Sequence, residues 1–80
     1  MVKKYGDLYL DARRELLTRE DAQMAGFMAR NLLCHVSGLS QEHFLSRREM
    51  YAPEAVVRGV ESGVKRLLSG EPLAFVLGEW

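Results

Sequence analysis

The sequence predicts an all-α protein, a compact bundle of four to five short helices, and three observations lead there. Apolar residues recur at helical spacing along the whole chain. No β-branched run of strand length occurs, since Val56, Val57, Val60 and Val64 are spaced for a helix face. Helix-capping and helix-breaking residues divide the chain into short pieces, and short connections favour antiparallel neighbours.

The elements follow in order. Tyr5, Leu8, Tyr9, Ala12 and Leu16 fall on one face of a first helix, with Asp7, Asp11, Arg13, Arg14 and Glu15 on the solvated side. Thr18 followed by Asp21 has the outline of a capping box and predicts a second helix over 19–37. Its apolar face would carry Ala22, Ala25, Met28, Ala29, Leu32, Leu33 and Val36, small residues that allow a neighbour to approach closely. Gly38 suits the left-handed residue that ends such a helix. Ser40 can cap a third helix over 41–48, with Phe44 and Leu45 as its buried pair. Pro53 fits the first turn of a fourth helix over 53–69, with Val56, Val57, Val60, Val64, Leu67 and Leu68 facing the core. Gly59 and Gly63 each cost about 1 kcal/mol relative to alanine inside a helix, so their four-residue spacing predicts a close helix crossing. Gly70 stops this helix, Pro72 opens a last short one through Leu77, and Gly78 closes it.

Eighty residues allow one domain with a modest core. Eleven basic and eleven acidic side chains cancel, which removes the global attraction that most nucleic-acid binders use. At 48% hydrophobic and 28% charged the chain is that of a folded domain, without an apolar run of membrane-span length or a signal-peptide core. One cysteine excludes an internal disulfide and a cysteine-based zinc site. A phosphate loop, a Gly-x-Gly-x-x-Gly and a His-Glu-x-x-His are all missing, so binding is the expected mode of action.

Several residues resemble chemical groups. Cys34 and His35 suggest a nucleophile and its base, yet helical neighbours point about 100° apart, and a partly buried thiol is the better reading. His43 is the only other histidine, which leaves any metal site short of ligands. The acids fall on polar faces and at helix starts, where they favour the helix dipole. Residues 32–40, with Phe44, Arg47 and Arg48 after them, have the outline of a helix-turn-helix; Ser37 stands where that motif wants an apolar residue, and Glu42 would face phosphate. Met24 and Met28 read as ordinary core. Phe27 lies off the main apolar face, to be covered by the fourth or fifth helix or by a partner.

Three blocks in order, Asp21-Ala22, Leu32-Leu33-Cys34-His35-Val36-Ser37-Gly38-Leu39-Ser40 and Gly70-Glu71-Pro72-Leu73-Ala74-Phe75-Val76-Leu77-Gly78-Glu79, resemble the N-terminal domain of the HemK/PrmC family. Those methyltransferases modify class I peptide chain release factors. The last block is the most specific: the family commonly has Tyr and Ile where this chain has Phe75 and Val76. The resemblance implies a release-factor-recognition domain over 1–78, with 79–80 beginning a linker to a domain that binds S-adenosylmethionine. In the family that second domain carries an Asn-Pro-Pro-Tyr motif and methylates the side-chain nitrogen of the glutamine in a Gly-Gly-Gln loop. Neither the motif nor a glycine-rich cofactor loop occurs here, so the resemblance assigns no catalytic, cofactor or metal residue, and the segment alone is expected to be inactive. It also implies a cytoplasmic setting, a release-factor partner and no membrane. Phe27 and the charged group Arg47, Arg48 and Glu49 are the candidate partner-binding residues. Two alternatives of other classes remain: a free-standing helix-turn-helix-like DNA binder using 41–48, and an interaction or dimerisation module with Phe27 or the Gly59/Gly63 face at the contact.

Overall fold

In a computed structural model, which describes residues 2–78, five helices follow one another: α1 (Tyr5–Leu16), α2 (Ala22–Ser37), α3 (Gln41–Ser46), α4 (Glu54–Leu68) and α5 (Leu73–Leu77). The helix α2 touches each of the other four, and α4 also packs on α1 and α5. The periodicity of α1, α2 and α4 explains this centre. Leu8 and Leu16 of α1, Leu32 and Leu33 of α2, and Val60 and Val64 of α4 are fully buried, together with Ala25 and Ala29. A radius of gyration of 11.5 Å is near the ~12 Å expected of a globule this long, so the helices form one core. No polar or charged residue is buried among those described.

The α2–α4 crossing matches the glycine spacing. A Cβ on Gly59 would stand 2.6 Å from Val36 Cγ1, and one on Gly63 would stand 2.5 Å from Leu32 Cδ1. This face is internal, which removes it as a dimerisation contact. The price in helix propensity is offset by packing that only a bare Cα permits.

Four sequence expectations are corrected. The helix α2 starts at Ala22, not at residue 19, and its cap is Asp21, whose carboxylate accepts the Met24 N–H at 2.8 Å. Thr18 instead belongs to the end of α1: its hydroxyl donates to the Glu15 carbonyl, and the Arg19 and Glu20 N–H groups return to the Leu16 carbonyl. Asp21→Ala should therefore lower stability by about 1 kcal/mol in a urea melt, and Thr18→Ala by less than about 0.5 kcal/mol. Equal losses would restore Thr18 as the cap.

Ala22 and Met24, expected on the core side, are exposed in the first turn of α2. The helix α3 ends at Ser46, with Arg47 as its cap, two residues short of the expected end. Its predicted buried pair is split: Phe44 is buried, whereas Leu45 is 58% exposed. Adjacent helical residues point about 100° apart, so a helix buried on one side takes Phe44 inward, against Tyr9 of α1, and leaves Leu45 outside.

A backbone pairing had no signal in the helical periodicity. The Ala52 N–H donates to the Lys3 carbonyl, Tyr5 N–H to Met50 and Gly6 N–H to Arg48, which ties the start of the chain to the α3–α4 connection. Lys3 Nζ reinforces it, 2.9 Å from Asp11 and 3.5 Å from Glu61.

The most specific sequence block has a structural account. Gly70 and Gly78 hold φ of 103° and 75°, the left-handed region, and Pro72 caps α5. The Arg66 guanidinium donates to both Glu71 oxygens and holds that carboxyl below its ordinary range. Arg19 donates to the Leu68 carbonyl at 2.6 Å. The predicted tail at 79–80 lies outside the described residues.

Candidate functional site

The groups that looked chemical do not converge. Cys34 is half-buried and His35 exposed. Burial pushes the Cys34 thiol up against the opposing pull of Arg30, so it is mostly protonated at neutral pH. Among the described residues, no three His, Cys, Asp or Glu side chains are grouped to hold a metal ion. No described helix is long and apolar enough to cross a membrane. The helix-turn-helix outline is present only as α2, the Gly38 turn and α3. That last helix has six residues, carries Glu42 in its first turn and ends before both arginines.

What the fold does expose is apolar surface. A groove of about 460 Å³ runs between the start of α1 and α3, lined by Tyr9, Leu10, Phe44, Leu45, Arg48 and Glu49 among others. Phe44 forms its floor, tilted 55° against Tyr9 with ring centroids 5.7 Å apart. Leu10 and Leu45 stand on its flanks, both more than half exposed. Lys4 lies on the rim, 3.5 Å from Glu49 and 5.8 Å from the Tyr51 ring centre. A second groove of about 420 Å³, along the start of α2, is lined by Asp21, Gln23, Met24, Phe27 and Arg30. Arg30 borders both, which makes the two grooves neighbours.

The candidate partner-binding residues are thereby divided. Arg48 and Glu49 line the first groove, and Phe27, 46% exposed, lines the second rather than lying covered under α4 or α5. Arg47 lines neither; its backbone N–H closes α3 on the His43 and Phe44 carbonyls. Leu10, Tyr9, Leu45, Met24 and Arg30 were not singled out as surface residues. Leu10 had a signal, since it falls outside the Tyr5-Leu8-Tyr9-Ala12-Leu16 face and is too large and apolar for a solvated one. Leu45 and Met24 had none, because their periodicity fits a core position equally well.

Fold and surface together define an all-α module whose exposed features are those of a contact surface. The PrmC N-terminal domain family model matches residues 7–78, from the first turn of α1 to the glycine that closes α5. The chain belongs to that family, and such a domain is the N-terminal part of a PrmC-type methyltransferase. No curated protein and no solved structure gives a significant match.

Proposed function

We propose that this chain is the release-factor-recognition domain of a protein-(glutamine N5) methyltransferase, which docks a class I peptide chain release factor so that the glutamine of its Gly-Gly-Gln loop is methylated elsewhere. S-adenosylmethionine would be bound by the catalytic domain of that enzyme, in the cytoplasm, and this segment alone is inactive. The family membership supports the reading, and the observation that carries it is the paired grooves. Leu10, Leu45, Met24 and Phe27 are each more than two-fifths exposed on one side of a small domain, with Arg48, Glu49 and Arg30 at the edges. An apolar centre with a charged rim is the anatomy of a protein interface. Docking energy gathered on this surface would hold a large substrate in register with a distant reacting group, converting an encounter into an oriented attack. The formal charge of zero fits a protein partner better than a polyanion.

The test is calorimetric titration of the 80-residue chain with a class I release factor. Saturable binding is expected, weakened at least tenfold by Leu10→Asp with Leu45→Asp while the thermal midpoint is kept. Absence of binding by the parent chain, or binding indifferent to this pair, would overturn the reading. Incubation with release factor and labelled S-adenosylmethionine should transfer no methyl group; transfer would refute the claim that the segment is inactive.

A further inference from the structure

We propose that Tyr9, Arg13 and Arg30 form an oxyanion clamp between α1 and α2, and that its occupant is an acidic side chain of the protein docked in the adjoining grooves. The inference rests on the docking reading above and adds the chemical group that is recognised.

The clamp is built from two pairs at helical i, i+4 spacing, Tyr9 with Arg13 on α1 and Gly26 with Arg30 on the facing α2. Around the point where a Cβ on Gly26 would stand, Tyr9 Oη lies at 3.3 Å, Arg30 Nη1 at 3.6 Å and Arg13 Nε at 3.7 Å. Two guanidinium groups and a phenol thus meet over a floor that has no side chain.

Each of the three groups lacks a hydrogen-bond or ion-pair partner among the described residues. Elsewhere Lys3, Lys4, Arg14, Arg58 and Arg66 are ion-paired, Arg19 donates to the Leu68 carbonyl, and the remaining cations, Arg47, Arg48 and Lys65, are exposed to solvent. Asp7 and Asp21 border the grooves that Arg30 shares, but neither pairs with it, and Asp21 is engaged in capping α2. Arg13 and Arg30 are half-buried, whereas the Arg14 and Arg58 side chains are 76% exposed. Two like charges gathered in a half-buried seam repel one another and lose hydration. An oxyanion between them reverses both effects, accepting directional N–H bonds from each guanidinium and an O–H bond from the phenol.

The position of the clamp selects its occupant. Arg30 lies at the seam between the Leu10/Leu45 groove and the Met24/Phe27 groove. A free phosphate would touch neither apolar surface. A protein segment with an acidic side chain flanked by apolar ones engages the clamp and both grooves together.

The first arm of the test follows the arginine Nε–H resonances of the ¹⁵N-labelled 80-residue chain during titration with sodium acetate at constant ionic strength. Arg13 and Arg30 should shift saturably while Arg47 and Arg58 stay fixed; absent or uniform shifts overturn the clamp. A second arm measures release-factor affinity. Arg13→Gln with Arg30→Gln should weaken it at least tenfold, and Gly26→Ala, which favours the helix while crowding the floor, should weaken it in the same direction with the circular-dichroism melt preserved. Unchanged affinity in both variants, with tight binding of inorganic phosphate by the parent chain, would assign the clamp to free phosphate and overturn the acidic-side-chain occupant. Should the parent chain bind no release factor, the docking reading falls, and the acetate titration alone still decides whether the clamp exists.

Discussion

Leu32→Ala should lower the unfolding free energy by about 2–4 kcal/mol, the span seen when a buried leucine is truncated and the cavity only partly collapses. Leu32 is 1% exposed at the middle of α2, the helix that every other helix touches, and its Cδ atoms lie against Gly63 of α4. Truncation removes contacts from the α2–α4 crossing, and two rigid helices cannot close the gap without moving other core contacts. A domain of this size has a total stability of order 5 kcal/mol, so the midpoint of a urea melt should fall by about half. Leu45→Ala is the matched control. That side chain is 58% exposed, and the change should stay within about 0.5 kcal/mol. Equal losses at the two positions would mean that the division between buried and exposed leucines is wrong.

Gly63→Ala is expected to be the second most damaging of these changes, although alanine favours a helix. The added methyl would stand 2.5 Å from Leu32 Cδ1 and 2.9 Å from Cδ2, closer than carbon atoms approach one another, and a tight 3.2 Å from Cγ. Leu32 is enclosed, so relief requires an off-rotamer side chain or a shift of α2 away from α4. Overpacking of this kind costs about 1–3 kcal/mol, against about 1 kcal/mol gained in helix propensity, leaving a net loss of up to about 2 kcal/mol. The diagnostic measurement is the double variant. With Leu32→Ala present, the new methyl occupies space that the leucine vacated, and the combined loss should fall short of the sum by about 1 kcal/mol or more. Strict additivity would show that the two residues do not meet.

The helical architecture was legible because α1, α2 and α4 carry long periodic faces, and their buried positions follow the 3.6-residue repeat closely. Gly38, Gly70 and Gly78 could be placed as stops because a left-handed residue after a helix favours glycine. The crossing at Gly59 and Gly63 was legible for a related reason: two costly residues one turn apart need a compensating contact. Caps were less so. Thr18 and Asp21 both suit an N-cap, and only the path of the chain after Leu16 decides between them.

The candidate surface was legible in part. Phe27, Arg48 and Glu49 stood out as residues that a core did not need, and each borders a groove. Short elements defeat periodicity, so the six residues of α3 could not say which of Phe44 and Leu45 faces inward. The pairing of Lys3–Gly6 with Arg48–Ala52 was invisible, because three backbone hydrogen bonds leave no mark on side-chain pattern.

By itself, then, the sequence determined the fold class, the order of the helices, the stops between them and the family to which the chain belongs. These depend on local conformational preference and on residue identity, which a one-dimensional string carries. Tertiary structure alone decided that Met24 and Leu45 stay outside, and that Tyr9 and Arg13 meet Arg30 over Gly26. Both depend on how α1, α2 and α3 are set against one another, and residues seventeen positions apart become neighbours only when two helices pack.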